Sequence, residues 1–131
     1  MAGPKGSKYY NVFLDYKFWL ETKDGENVIG QGTHALIRRI KEDGSIQKAA
    51  EKTGISYRKA WGNLKKAEQI LGFSLVDKQR GGVGGGKTSI SEDGEKLLSA
   101  FDELKVEFDA AIHSIAKKFF NEINTPENNN D

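Results

Sequence analysis

Three glycine stops and two serine starts, spaced too closely for any long element, constrain this chain more than any other feature. Asp43-Gly44-Ser45 is followed by Thr53-Gly54-Ile55-Ser56 and then by Leu71-Gly72. A glycine just past a periodic run closes a helix, and a serine just before one accepts its first free N–H groups. The punctuation predicts successive helices. One runs from a Thr33 cap to about Asp43, with Leu36, Ile37 and Ile40 as its buried stripe. Ser45 opens a short second helix with Ile46, Ala49 and Ala50 facing inward. Ser56 opens a third that runs to about Leu71, with Ala60, Leu64, Ala67 and Leu71 on its inner side. A short helix joined to a longer one by a tight glycine-containing turn is the profile of a helix-turn-helix. The small pair Ala49-Ala50 lets the two helices cross closely.

The next segment, RGGVGGGKTSI at residues 80–90, contains Gly81, four residues, then Gly86-Lys87-Thr88. Literally this is a phosphate-cradling P-loop pattern. A P-loop needs a buried strand before it and a helix opening at its Lys-Thr. Here Lys87-Thr88-Ser89-Ile90 reads as a strand and the helix starts later, at Ser91. The parallel strands of a nucleotide-binding domain and its magnesium-serving acid are missing as well. The better reading is a two-stranded wing, strands 74–80 and 87–90, with Gly81 to Gly86 as its tip and Arg80 and Lys87 as flanking cations. Glycines there permit close backbone approach to a phosphate, here one of a nucleic-acid backbone.

On the N-terminal side, residues 12–21 alternate. Leu14, Tyr16, Phe18 and Leu20 share one face, as in a strand. Asp24-Gly25 marks a turn, and Asn27-Val28-Ile29 is a short return strand. Trp19 falls on the outward face, where it is either covered by another element or part of an interface. On the C-terminal side a long helix carries Leu97, Phe101, Leu104, Phe108, Ala111 and Ile115 at alternating spacings of four and three, and the stripe continues through Phe119 and Ile123. About thirty residues span on the order of 45 Å. So small a domain is not expected to cover that length alone, so the stripe predicts a homodimer through paired helices. The alternative is that its back half packs on the N-terminal hairpin.

Charge is uneven although the net is only +1. Residues 56–90 carry a net +5, residues 91–131 a net −6. One basic element beside an acidic one suggests a polyanion-facing surface on the basic part alone. There are no cysteines, which excludes a disulfide framework and a zinc finger. No run approaches about 18 apolar residues, and MAGPKGSK lacks an apolar signal core, so a cytoplasmic protein without a membrane partner is expected. His34 and His113 stand far apart; His34 reads as a surface or edge residue and His113 as a bystander. No metal, cofactor or catalytic constellation is expected, and hence no enzyme.

The run GSIQKAAEKTGISYRKAWGNLKKAEQILGFSLVDKQRGGVGGGKTSISEDGEKLL, residues 44–98, resembles the N-terminal DNA-binding domain of the molybdate-responsive ModE regulators and, more distantly, the LysR type. Three patterns carry the resemblance: Gly54-Ile-Ser-Tyr-Arg-Lys-Ala-Trp61, the leucine/valine strand ending at Arg80, and the glycine tip. It implies a winged-helix dimer that binds double-stranded DNA and regulates transcription. ModE members also carry C-terminal β-rich modules for molybdate or tungstate. This chain ends after its long helix, so the expectation is a stand-alone form with no oxyanion-binding module.

The expected fold is mostly α with small β: a winged helix-turn-helix over residues 12–90, preceded by a flexible stretch at 1–11. A dimerisation helix over 91–124 and a disordered tail at 125–131 follow. The third helix, 56–71, is expected in the major groove with its N-terminal residues nearest the bases. Opposite its buried side stand Tyr57, Arg58, Trp61, Gly62 and Lys65. Arg58 suits a bidentate contact to guanine. Tyr57 and Trp61 suit thymine methyls or sugars, although Trp61 can equally pack against the preceding helix. Ser56, Lys59, Lys65 and Lys66 suit phosphates, with a solvated face as the alternative for the lysines. Arg80 and Lys87 suit the adjacent minor groove or its phosphates. The alternative function is a protein-interaction module on the same scaffold.

Overall fold

The computed structural model describes residues 4–79 and 87–125. Arg80 and residues 81–86 of the expected wing tip lie outside the described residues. Along the chain the elements are β1 (Leu20–Glu21), β2 (Asn27–Ile29), α1 (Gln31–Asp43), α2 (Ile46–Thr53), α3 (Tyr57–Leu71), β3 (Val76–Gln79), β4 (Lys87–Ile90) and α4 (Glu92–Asn124). They divide between two compact units, one of residues 17–102 and one of residues 4–16 with 103–125.

In the larger unit the punctuation acts as the sequence predicts. Ser45 Oγ accepts the Lys48 N–H at 3.1 Å, and Ser56 Oγ accepts the Lys59 N–H at 3.0 Å. Each such cap contributes about 1 kcal/mol. Gly44, Gly54 and Gly72 close α1, α2 and α3 in the left-handed conformation. α1 differs in its start. Its ladder begins where the His34 N–H bonds the Gly30 carbonyl at 3.0 Å, so Gly30 is the cap residue and Thr33 lies inside the first turn. The inward stripes of the three helices meet Ile29, Leu75, Leu98 and Phe101 in one core. Burying each large aliphatic side chain there contributes roughly 1.5–3 kcal/mol.

The N-terminal hairpin is much shorter than residues 12–21 suggest. Only Leu20 and Glu21 pair, opposite Ile29 and Asn27 with an irregularity between them. The return strand has three residues before Gly30 turns into α1, so residues 12–19 have no ladder to join. Of the alternating face, Phe18 and Leu20 pack on the core of this unit, while Leu14 is exposed.

The wing pairs in regular antiparallel register, Val76 opposite Ile90 through Gln79 opposite Lys87. It starts at Val76 and not at 74, because Leu75 is drawn fully into the core and Phe73 is left outside. Ser91 fastens its base. Its Oγ donates to the Ser74 carbonyl at 2.6 Å and accepts the Gly94 N–H at 2.9 Å, capping α4 as it does so. The first turn of α4 passes so close that a Cβ on Gly94 would stand 2.2 Å from the Leu75 carbonyl oxygen. Glycine is required there by packing. Glu92, Asp93 and Glu95 in that turn favour the positive end of the helix dipole.

From this start the inner face of α4 runs through Gly94, Leu98 and Phe101, so Leu98 joins Phe101 of the predicted stripe inside. Phe101 is a correction to the predicted dimer surface. Its ring is 3% exposed, stacked on Phe18 at 4.9 Å and on His34 at 4.4 Å, and is consumed within the unit. Leu97 is also partly buried against the core. Of the two readings of His34, surface or edge, the structure gives the edge of the core. Its side chain is 13% exposed, and Nε2 lies 2.8 Å from Asp102 Oδ1, while Arg38 pairs with the same carboxylate. Burial pushes the His34 imidazole below its usual pKa, against the opposing pull of Asp102. Burial pushes the Asp102 carboxyl up, but the hydrogen bonds and positive charge of Arg38 and His34 together outweigh it and hold the group below the usual range.

In the smaller unit the Tyr16 hydroxyl donates to Asp109 Oδ1 at 2.5 Å and its ring lies 5.9 Å from Phe108. Phe120 is buried and meets Phe119 edge-on at 5.2 Å. Of the predicted stripe, Leu104 is half-buried here, whereas Phe108, Ala111, Ile115 and Phe119 are exposed.

Candidate nucleic-acid interface

The burial of Ala60, Leu64 and Ala67, each at most 1% exposed, fixes which way α3 faces. Its other side presents Tyr57, Arg58, Lys59, Trp61, Gly62, Lys65 and Lys66 to solvent. A Cβ on Gly62 would meet nothing within 4 Å, so the chain's own packing makes no demand for glycine there. Ser56 spends its acceptor on the cap, and its hydroxyl hydrogen stays available at the helix N-terminus. Arg58, Lys59 and Lys66 make no ion pair among the described residues.

The wing is tied to the start of the helix-turn-helix. The Thr88 N–H donates to the Gly44 carbonyl at 2.9 Å, and the Lys87 stem lies over Gly44. As a result Tyr57, Lys78 and Lys87 border one notch of about 250 Å³, with Ser45 and Gln47 on its far side. Further along α3 the Trp61 ring gathers two cations. Lys65 Nζ is 5.4 Å and Lys78 Nζ 5.8 Å from its centroid, each cation–π contact contributing about 0.5–1 kcal/mol at an exposed site. Trp61 is 40% exposed, with a lysine of the wing over its ring.

Not all the predicted residues converge. Lys59 and Lys66 border a different cavity, about 570 Å³, with Asn63, Thr53 and the start of α1 at Gly30 and Thr33. Arg80 lies outside the described residues. Two residues of the cluster escaped sequence reasoning. Lys78 was visible only as part of the basic excess. Glu68 reads as an ordinary solvated acid three residues after Lys65, yet its side chain is 10% exposed and its carboxylate accepts N–H groups from the base of the wing. No local signal announces a bond to a later strand.

Among the described residues no group of three or more His, Cys, Asp or Glu could hold a metal, and no helix is long and apolar enough to cross a membrane.

Comparison with known proteins agrees with this geometry. Residues 35–95 match the family described as bacterial regulatory helix-turn-helix protein, lysR family. The transcriptional regulator ModE of Haemophilus influenzae is 33% identical over 78 residues, 60% of this chain and 31% of that protein. The DNA-binding transcriptional dual regulator ModE of Escherichia coli K12 is 34% identical over 70 residues, 53% of this chain and 27% of that protein. The molybdenum transport protein ModE of Herbaspirillum seropedicae is 35% identical over 77 residues, 59% of this chain and 29% of that protein. The chain thus spans less than a third of the length of these relatives. Among solved structures, ArgP from Mycobacterium tuberculosis aligns with 64% of this chain and 30% of its own at 21% identity and a TM-score of 0.49.

Proposed function

We propose, from the premise that residues 35–95 are a LysR-type helix-turn-helix domain of ModE-like sequence, that this chain is a DNA-binding transcriptional regulator. The observation that carries the reading is the exposed basic side of α3. Arg58, Lys59 and Lys66 stand exposed on a helix whose other side is locked into the core, and Lys78 and Lys87 of the wing flank it. A helix of this kind enters the major groove with its first turns nearest the bases. Arg58 contacts guanine, discriminating by roughly 1–3 kcal/mol. Tyr57 and Trp61 contact thymine methyls or sugars. Ser56, Lys59, Lys65 and Lys66 take phosphates, and Arg80 and Lys87 reach the adjacent minor groove or its backbone. The protein acts as a cytoplasmic homodimer without catalytic activity, paired through the part of the α4 stripe left open: Leu104, Phe108, Ala111, Ile115 and Phe119. Two recognition helices then read a near-palindromic site.

The test is fluorescence anisotropy on the protein's own promoter region and on a scrambled duplex at two salt concentrations. Tighter binding to the promoter, with a steep salt dependence for both duplexes, is expected. Arg58→Ala should flatten the preference, and Lys87→Ala should weaken both duplexes alike. Failure to bind either duplex at low salt would sink the reading and leave the exposed face of α4 as a surface for a protein partner.

A further inference from the structure

The carboxylate of Glu68 occupies an unusual position for an acid on a helix read as facing a polyanion. It points away from solvent, toward the strand that follows the helix. Oε2 accepts the Leu75 N–H at 2.7 Å and the Val76 N–H at 3.3 Å, and Oε1 lies 3.3 Å from Lys65 Nζ. Charge-assisted bonds to backbone N–H groups are among the stronger ones available to a side chain. They fasten the first residues of the wing to the last turns of α3. Three residues after Leu75, Lys78 arrives at the Trp61 ring, where Lys65 already lies. One acid thereby sets the wing's position and neutralises one of the two cations beside the ring.

We propose that Glu68 is a positioning residue for DNA binding: by clamping the base of the wing to the recognition helix it holds Lys78 beside Lys65 at Trp61, so that wing and helix engage the duplex as one body. This rests on the DNA-binding reading above. Glu68 itself touches no DNA; it acts through Lys78 and Lys87 on the strands it anchors.

Two conservative variants separate geometry from charge. Glu68→Gln keeps an oxygen within reach of the Leu75 N–H and loses the charge. Glu68→Asp keeps the charge and is one methylene too short. Both are made in the full chain beside Glu68→Ala, with thermal melting to exclude any variant that does not fold. Three readouts are taken: amide hydrogen exchange at Leu75, hydroxyl-radical footprints on the promoter duplex, and the salt slope of binding. The expected result is that Glu68→Gln keeps Leu75 protected and keeps the full footprint. Glu68→Asp and Glu68→Ala should lose that protection and the flanking footprint assigned to the wing while retaining the central one. Their salt slope should fall by about one for each wing lysine that no longer reaches a phosphate. A folded Glu68→Ala with an unchanged footprint and slope overturns the proposal, as does a Glu68→Gln that loses as much as Glu68→Asp. Wild-type protein that binds neither duplex overturns the DNA reading, and the positioning role with it, whatever Leu75 does.

Discussion

In the unit of residues 17–102, Ile29, Leu36, Ile40, Leu64 and Leu75 are each less than 2% exposed. In the unit of residues 4–16 and 103–125, Val106 is 68%, Phe13 59% and Ile115 54% exposed. Both carry apolar residues at regular spacing. The first has three helices, a hairpin, a wing and the first turns of α4 to close around them, whereas the second has the rest of α4 and a segment held by turns. A periodic stripe therefore states that a face will be buried without stating by what.

The contrast breaks most readily at Leu64. Leu64→Ala should cost about 2–5 kcal/mol in urea unfolding and abolish DNA binding, whereas Val106→Ala should change monomer stability by less than about 0.5 kcal/mol. Equal costs would mean the two units are closed alike. Next comes association. Ile115→Glu should weaken dimerisation by about 2 kcal/mol or more in sedimentation equilibrium while leaving the helical signal intact. A dimer of unchanged strength would place the partner surface elsewhere.

A smaller effect tests the closure of the larger unit by pH. Burial holds His34 below the usual histidine range in the folded chain. Around pH 6.5 the unfolded chain takes up a proton that the folded site resists, so this contribution to stability is present above that pH. It is lost as pH falls toward the folded pKa. The groups facing His34 are Asp102, Arg38 and Phe101; Asp102, held low itself, stays charged through this window. The melting temperature should drop between about pH 7 and 5.5, and less steeply in His34→Phe. Parallel curves would show that His34 does not couple. The smallest effect belongs to the open unit. Its hydrogen bond to Asp109 pushes the Tyr16 hydroxyl up to about 12, so an ultraviolet titration should show one tyrosine ionising well above the usual range, and Tyr16→Phe should remove that step. Tyr16→Phe should leave the melting temperature nearly unchanged, because the pair is solvated.

The helix-turn-helix was legible because its signals are local. Ser45, Ser56 and the closing glycines act on backbone groups within a few residues, and the inward stripes of α1, α2 and α3 follow from helical period alone. Where a reading failed, a distant partner decided. Alternation over residues 12–19 matches a strand, but the return strand is too short to pair with it. The stripe through Leu97 and Phe101 has helical spacing, but Phe18 and His34 claim Phe101 from within the same unit, and the tight seat of Gly94 turns the helix so that Leu98 goes in.

For the interface, the sequence by itself determined which residues face outward on α3 and that they are basic, since period and composition suffice for that. Only the tertiary structure decided that Lys78 and Lys65 meet at Trp61, that Lys59 and Lys66 face a separate cavity, and that Glu68 holds the wing. Each of these joins residues whose proximity depends on where β3 is seated after Gly72, and that seat follows from burying Leu75 and satisfying its N–H, which no spacing along the chain encodes.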